Sequence, residues 1–201
     1  MGLELHVFDF DGTLFKSPHR PSWWPKQGWW GMTASLHPPC VPEKPSSKWW
    51  VGSTVSAAKR SISNSDVWAV LMTGRIEGKF RFRVSQLLRQ RGLKFDGVYL
   101  NPGGDTSTVK KKYIFQLLNR HSDIDAVHIW EDRHMSVYVS FIKKYAKATG
   151  RSIQVFPHNV KDHPYPTACS EESYLEFQEH HKAATLKRVT ARYLLAQKKV
   201  S

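Results

Sequence analysis

Hydrophobic positions of this 201-residue chain fall into short continuous runs, separated by longer amphipathic segments. Continuous runs rich in Val, Ile and Leu are typical of parallel strands buried on both faces, and one-sided apolar spacing is typical of helices. Alternation of the two predicts an α/β fold, a parallel sheet with helices on both faces. The predicted strands are 5–8, 67–72, 97–100, 126–130 and 153–156, and the predicted helices are 79–91, 107–121 and 135–148.

The segment between the first two predicted strands differs in composition from the rest of the chain. Residues 15–64 hold six of the eight tryptophans and seven of the eleven prolines. Because proline disfavours regular helix, we expect an ordered but largely irregular insertion. Its tryptophans suit two roles, stacking platforms for nucleobases or the core of a segment without secondary structure.

An acidic pair follows the first predicted strand. Alternation along an extended chain puts Asp9 and Asp11 on the same side, and Gly12 lets the backbone turn without a Cβ clash. Two such carboxylates suit a divalent cation. One of them can attack phosphorus while the other exchanges a proton with the leaving oxygen, which indicates phosphoryl transfer.

Three further motifs follow in chain order. The second strand ends in Thr73-Gly74-Arg75, and the fourth ends in Glu131-Asp132-Arg133. Between them, Lys110 lies near the start of a helix, beside its predicted apolar face. Ligands of open α/β sheets bind outside the carboxyl ends of the strands, so these side chains are expected to meet there.

The acid pair, threonine, lysine and acid, in this order, resemble the four motifs of the haloacid dehalogenase (HAD) phosphohydrolase superfamily. The stretches LELHVFDFDGTLF, LMTGR and IWEDR further resemble the HAD domain of Swiss Army Knife RNA repair proteins. The resemblance covers about residues 4–156. It implies a Rossmann-like phosphatase core at 1–160, with 15–64 as a cap or flap over the active site, and leaves 161–201 as a helical appendage.

The resemblance implies catalytic roles for four residues. Asp9 would attack phosphorus and form an aspartyl-phosphate, and Asp11 would protonate the leaving group and then activate water. Thr73 would bind a phosphoryl oxygen. Lys110 would neutralise charge on the intermediate, and Lys111 and Lys112 stay open as alternative lysines.

A Mg²⁺ site is implied at the same place. Its ligands would be the Asp9 side chain, the main-chain carbonyl of Asp11 and the Asp132 side chain. Glu131, next to Asp132, stays open as an alternative ligand.

Substrate-binding residues are expected around the phosphate. Gly74 and Arg75 follow Thr73 and are predicted to contact a phosphoryl oxygen, with a surface salt bridge as the alternative for Arg75. Nucleobase stacking is assigned to the first two tryptophan pairs of the insertion. These residues are Trp23, Trp24, Trp29 and Trp30.

Charge narrows the substrate class. The chain has 30 Lys and Arg against 17 Asp and Glu, a formal charge of +13, which favours polyanionic partners. The excess is concentrated in 79–94, 110–112 and 182–199, the last within a predicted basic helix that begins near Glu171. We therefore expect a phosphatase for RNA or DNA ends. A phosphatase for a small phosphorylated metabolite and a non-catalytic nucleic-acid-binding protein on a HAD fold are the alternatives.

Cysteine and histidine residues show no metal-ligand spacing. Cys40 and Cys169 are expected to be reduced thiols, with a single disulfide as the alternative. His128, in a predicted strand, and the other histidines are expected in surface or helix-capping roles.

Targeting signals are not evident in the chain. The N-terminus has no charged and then apolar leader, and no apolar run approaches the ~20 residues that a membrane span requires. We expect an intracellular protein without membrane contact, cytoplasmic or nuclear, with an organelle left open. The resemblance also implies association with other RNA-processing proteins.

Overall fold

A computed structural model describes residues 2–24, 27–161 and 163–183. The strands in these ranges are β1 (Leu3–Phe8), β2 (Val67–Ile76), β3 (Gly97–Asn101), β4 (Ile124–Glu131) and β5 (Gln154–Asn159). The α-helices are α1 (Gly52–Ile62), α2 (Glu77–Arg91), α3 (Thr106–Arg120) and α4 (Met135–Thr149). The strands form one parallel sheet, so the predicted fold class is confirmed.

Helices cover both faces of this sheet. Helices α3 and α4 pack on one face, where Leu5 and Val7 of β1 are buried. His6 lies between them in the strand and points to the other face, where it contacts Ser61 of α1. The core of the first face contains Leu5, Val7, Val70, Met72, Ile114, Leu117, Leu118, Val127, Ile129, Tyr138 and Ile142.

Strand order places the carboxyl ends of β2, β1 and β4 side by side. The order is β3-β2-β1-β4-β5, so the chain builds outward from β1 in one direction and then in the other. Ligand sites of open α/β sheets lie at such a reversal, here between β1 and β4. A backbone hydrogen bond of 3.0 Å from Asp9 N to Trp130 O joins the two strands at this point.

The predicted insertion contains more regular structure than expected. Helix α1 lies inside the range 15–64, together with 3₁₀ turns at Trp29–Gly31, Thr33–Ser35 and Ser47–Trp49. The expectation of a largely irregular segment is therefore wrong from Gly52 onward. The last proline of the insertion is Pro45, so the later residues are able to form a helix.

The chain divides into two compact units. The described residues of the first unit are 2–17, 44–161 and 163–166, which include the whole sheet. Those of the second are 18–24, 27–43 and 167–183. Within this unit a disulfide joins Cys40 and Cys169, whose Cα atoms are 4.3 Å apart. The expectation of two reduced thiols is wrong, because the fold of this unit brings together cysteines that are distant in sequence. The predicted cap over the active site stays a prediction.

The predicted C-terminal helix is described only in part. Residues 171–183 are helical, and 184–201 lie outside the described residues. No helix in the described part of the chain combines the length and the apolar composition that crossing a bilayer requires.

Candidate active site

Charged and polar side chains meet at the carboxyl ends of β1, β2 and β4. Asp9 directly follows β1, Thr73 lies in the last part of β2, Glu131 ends β4, and Lys110 reaches this edge from α3. All four residues are at least 95% buried. Charged side chains are seldom buried unless they are paired, and such clusters are common at functional sites.

Lys110 joins two of the acids. Its Nζ donates hydrogen bonds to Asp9 Oδ1 at 2.6 Å and to Glu131 Oε2 at 2.8 Å. The sequence placed this lysine beside the apolar face of α3, whereas it lies within the buried face, one helical turn before Ile114. Lys111, one of the open alternatives, is only half-buried.

Burial and charge act against each other in this cluster. Burial raises the pKa of Asp9, and the Lys110 ammonium offsets only part of this effect because Glu131 and other carboxylates lie nearby. Burial lowers the pKa of Lys110, but Asp9 and Glu131 outweigh it and raise the pKa overall. Lys110 therefore stays protonated, and a further cation at this position would stabilise the ionised form of Asp9.

The Asp11 carboxylate is held by Arg75. Arg75 Nε donates at 3.0 and 2.9 Å to the two carboxylate oxygens, and Nη2 donates to Oδ1 at 2.7 Å. Ser17 Oγ also donates to Oδ1, at 2.5 Å. Burial alone would raise the pKa of Asp11, but the guanidinium and these hydrogen bonds outweigh it and lower the pKa. Asp11 is therefore ionised.

Arg75 and Ser17 differ from the sequence-based expectations. Arg75 is 2% exposed, so the alternative of a surface salt bridge is wrong and its ion pair is a buried one. Its predicted contact with phosphate stays a prediction. No motif pointed to Ser17, because its hydrogen bond with Asp11 depends on how residues 12–17 turn back.

Thr73 and Gly74 shape the neighbouring strand end. Thr73 Oγ1 accepts a hydrogen bond of 3.2 Å from Arg75 N and lies 3.5 Å from Asp11 Oδ2. A Cβ at Gly74 would lie 2.8 Å from Thr106 Oγ1, at the start of α3. The glycine thus allows β2 to pass close to this helix.

The carboxylates fit a divalent cation. Asp9, Glu131 and Asp132 each offer an oxygen, and these atoms lie within 4.8 Å of one another. Asp132 Oδ1 is buried without a hydrogen-bond partner, and its ion pair with Arg133 Nε spans 3.5 Å. Oxygen donors suit Mg²⁺. Glu131 Oε2 and Asp9 Oδ1 both accept from Lys110, so the choice between Asp132 and Glu131 as a ligand stays a prediction.

Gly12 lies against the same acidic loop. Its φ is +74°, in the left-handed region, and a Cβ there would collide with the Asp132 carboxylate and lie 2.8 Å from Tyr165 Oη. The Gly12 carbonyl is 2.7 Å from His163 Nε2. The sequence identified the turn at Gly12, but not these neighbours, which come from a distant part of the chain.

Tryptophans predicted to stack on nucleobases pack together in the second unit. Trp29 is 1% exposed, and its Nε1 donates to a backbone carbonyl at 3.0 Å. The prediction that its ring binds substrate is wrong, because this short unit needs Trp29 for its own core. Trp23, Trp24 and Trp30 are half-buried against that core, and their substrate contacts stay predictions.

One curated protein is similar in sequence to much of this chain. Protein YMR265C of Saccharomyces cerevisiae, described as uncharacterized, is 26% identical over 158 residues, which are 65% of this chain and 34% of that protein. The chain thus spans about a third of the length of this curated relative.

Two solved structures are similar to this chain at low sequence identity. A chain of the Pnkp1/Rnl/Hen1 RNA repair complex matches with a TM-score of 0.50 and 13% identity, over 81% of this chain and 44% of that chain. The HAD domain of effector protein Lem4 from Legionella pneumophila, an inactive mutant, gives a TM-score of 0.45 and 14% identity, over 89% and 92% of the chains.

A family model covers most of the chain. It describes the HAD domain family 1 in Swiss Army Knife RNA repair proteins, and it matches residues 11–176. This range includes four strands, all four α-helices and the motifs at Thr73, Lys110 and Asp132. With its HAD-like parallel sheet, the chain belongs to this family of HAD domains.

Proposed function

We propose that this chain is a Mg²⁺-dependent phosphohydrolase that removes a terminal phosphate from RNA or DNA through an aspartyl-phosphate on Asp9. The observation that carries the proposal is the meeting of buried Asp9, Lys110 and Glu131 with the half-buried Asp132 at the switch point of the sheet. Burying several charged side chains together lowers the stability of the folded protein. Such a cluster therefore indicates a functional site.

Asp9 and Lys110 act in the attack on phosphorus. Lys110 holds Oδ1 of Asp9, which leaves Oδ2 to attack phosphorus in line. The ammonium also neutralises charge on the transferred phosphoryl group, and the Thr73 hydroxyl binds one of its oxygens. A Mg²⁺ ion held by Asp9, the Asp11 carbonyl and Asp132 would supply further positive charge to the phosphoryl oxygens.

Asp11 acts on protons in both steps. Arg75 favours the ionised form of Asp11. This form suits the second step, in which Asp11 takes a proton from the attacking water. In the first step it must take up a proton from solvent and then deliver it to the leaving alkoxide. A bound phosphate would draw the Arg75 guanidinium away from Asp11, which would raise the pKa of Asp11 and allow this protonation.

Family membership and net charge support a nucleic-acid end as substrate. The family is defined on RNA repair proteins, and the chain carries a formal charge of +13. Association with other RNA-processing proteins is proposed on the same ground, since one structural neighbour comes from an RNA repair complex.

A phosphatase for a small phosphorylated metabolite is the second candidate. Burial of Trp29 favours it, because one predicted stacking platform belongs to the core. Some of the clustered basic side chains are also buried or paired within the protein, so they are less able to bind a nucleic acid. Arg83 is 1% exposed, Arg81 pairs with Glu77, and Lys110 belongs to the site.

The experiment compares nucleic-acid ends with a small ester. Purified protein and its Asp9→Asn variant are incubated with Mg²⁺ and end-labelled RNA and DNA oligonucleotides bearing 3′-, 5′- or 2′-phosphates, with p-nitrophenyl phosphate alongside. Release from a nucleic-acid end by the wild type alone supports the proposal. Release from the small ester alone supports the second candidate, and no release from any substrate contradicts both.

Salt is expected to separate the two candidates. Contacts to three phosphates of a single strand predict a fall in kcat/KM of about 20-fold between roughly 50 and 200 mM salt. Hydrolysis of p-nitrophenyl phosphate serves as the control and is expected to change little over the same range. Equal salt dependence for oligonucleotide and small ester would contradict binding along a nucleic-acid backbone.

Gly12→Ala is expected to impair catalysis through Asp132. The new Cβ must displace this carboxylate, and misplacement of a catalytic group by about 1 Å costs about 10²-fold in rate. Gly92→Ala is the matched control, because Gly92 has a φ of +70° and nothing within 4 Å of an added Cβ.

Each glycine variant is followed by phosphate release and by thermal unfolding. Both are expected to lose about 1 kcal/mol of stability from a left-handed alanine. Gly12→Ala is expected to lose more than Gly92→Ala because its Cβ also collides with Asp132, and only Gly12→Ala is expected to lose activity. Full activity of a folded Gly12→Ala protein would contradict the position assigned to Asp132.

A further inference from the structure

A second group of metal-binding side chains lies on the face of the sheet that α1 covers. Glu4 and His6 are two residues apart on β1, so both project from the same face. His128 of β4 is the register partner of His6. The ligand atoms of Glu4, His6 and His128 lie within 4.8 Å of one another, and none of these residues belongs to the candidate active site.

Hydrogen bonds orient His6 toward Glu4. Ser61 Oγ lies 3.0 Å from Ala57 O, and in the arrangement where the hydroxyl donates to this carbonyl, His6 Nδ1, 2.7 Å away, donates to the hydroxyl oxygen. The neutral ring then presents the lone pair of Nε2 to Glu4 Oε2 at 2.8 Å. Two acceptors at this distance repel each other unless a cation lies between them.

His128 is oriented by a second histidine. His128 Nδ1 is 3.0 Å from His158 Nε2, and in the arrangement where Nδ1 donates, the Nε2 lone pair remains available. That Nε2 atom lies 3.7 Å from Glu4 Oε2. Phe156 stacks on the His128 ring with 4.4 Å between the ring centroids and limits its rotation.

We propose that Glu4, His6 and His128 form a transition-metal site of the kind that binds Zn²⁺. Zinc accepts two histidine nitrogens and a carboxylate oxygen at about 2.0–2.2 Å, which puts neighbouring ligand atoms about 3.3 Å apart in a tetrahedron. The measured separations of 2.8 and 3.7 Å bracket this value. Imidazole ligands also favour zinc over Mg²⁺, which prefers oxygen.

The site is open to solvent on one side. The side chain of Glu4 is 40% exposed and that of His128 is 20% exposed, whereas His6 is 12% exposed beneath them. A metal ion is therefore able to enter without unfolding the sheet. Three protein ligands also leave a fourth position for water or another small ligand.

The test measures Zn²⁺ binding to the whole chain, stripped of metal with a chelator and kept in excess Mg²⁺ so that the active-site carboxylates are occupied. Calorimetric titration is expected to give one tight Zn²⁺ site in the wild type. Residues that only hydrogen-bond to a metal ligand contribute about 10- to 100-fold to metal affinity, and the ligands themselves contribute more. We therefore expect a loss of at least about 100-fold in Zn²⁺ affinity for His6→Gln and for His128→Gln. His158→Gln is expected to lose about 10- to 100-fold.

Two controls identify the site. His180→Gln, at an exposed position of the second unit, is expected to bind Zn²⁺ as the wild type does, and so is Asp132→Asn, which changes the active site. Co²⁺ in place of Zn²⁺ gives a visible absorption of tetrahedral type that must disappear in His6→Gln and His128→Gln. Thermal unfolding of every variant without metal shows whether it is folded.

Failure of this site is distinguishable from failure of the phosphatase, because no readout uses activity. A wild type without tight Zn²⁺ binding overturns the proposal and leaves a proton between His6 and Glu4. Folded His6→Gln and His128→Gln proteins that bind Zn²⁺ as tightly as the wild type also overturn it.

Discussion

Asp9→Asn is expected to lower kcat for phosphate release by on the order of 10⁴-fold or more, because it removes the nucleophile that forms the covalent intermediate. The amide is nearly isosteric with the carboxylate, and its oxygen still accepts the hydrogen bond that Lys110 donates to Oδ1. The loss is therefore expected in chemistry and not in folding. Single-turnover phosphate release with saturating substrate measures it.

Asp66→Asn is the matched control for this variant. Asp66 is exposed, at the turn before β2, and its replacement is expected to leave both activity and stability unchanged. Thermal unfolding shows whether each variant is folded. Phosphate release by folded Asp9→Asn at a rate close to the wild type would exclude Asp9 as the nucleophile.

Lys110→Met is expected to have the largest effect on stability. The variant leaves Asp9 and Glu131 buried beside each other without their ammonium partner, and removing one member of a buried ion pair typically costs about 3–5 kcal/mol. Activity is expected to be lost as well, because no cationic side chain then orients Asp9. Denaturant unfolding without Mg²⁺ measures the change in free energy of unfolding.

A second substitution separates the two effects of Lys110. Glu131→Gln in the Lys110→Met background removes one of the unpaired charges and is expected to recover part of the stability without recovering activity. Lys112→Met, at an exposed position on the same helix, is expected to change stability by less than about 0.5 kcal/mol. Equal unfolding free energies for Lys110→Met and Lys112→Met would contradict the buried ion pairs.

Much of the fold was predictable because the central strands are buried on both faces. Their continuous apolar runs have no other simple explanation, so β1, β2 and β4 were identified close to their observed bounds. Helix α1 was missed because its neighbours upstream are rich in proline. Composition averaged over 15–64 concealed the proline-free end of that segment.

The candidate site was predictable only where chemistry coincides with strand ends. Asp9, Thr73 and Asp132 each follow or close an apolar run, and the topology of a parallel sheet then brings them together. The ion pair of Asp11 with Arg75 was not predictable, because the direction of a long side chain depends on what fills the space around it. Burial of Trp29 was missed for the same reason, since the sequence of a tryptophan pair does not distinguish a surface position from a core position.

The cluster of Glu4, His6 and His128 was also not predictable from the sequence. His6 and His128 have no ligand spacing along the chain, and they become neighbours only through the register of β1 with β4. A shift of that register by one residue would place the two rings on opposite faces. Register in a parallel sheet is set by the packing of the whole core, which a single motif does not encode.

The central claim is that Asp9 accepts the phosphoryl group, and acid quenching tests it most directly. The protein is mixed with Mg²⁺ and the ³²P-phosphorylated substrate that it hydrolyses, quenched in acid within one turnover, and digested to locate the label. We predict an acid-stable label on the peptide that carries Asp9, and none in Asp9→Asn. Phosphate release by the wild type with no label on that peptide at any quench time would contradict the claim.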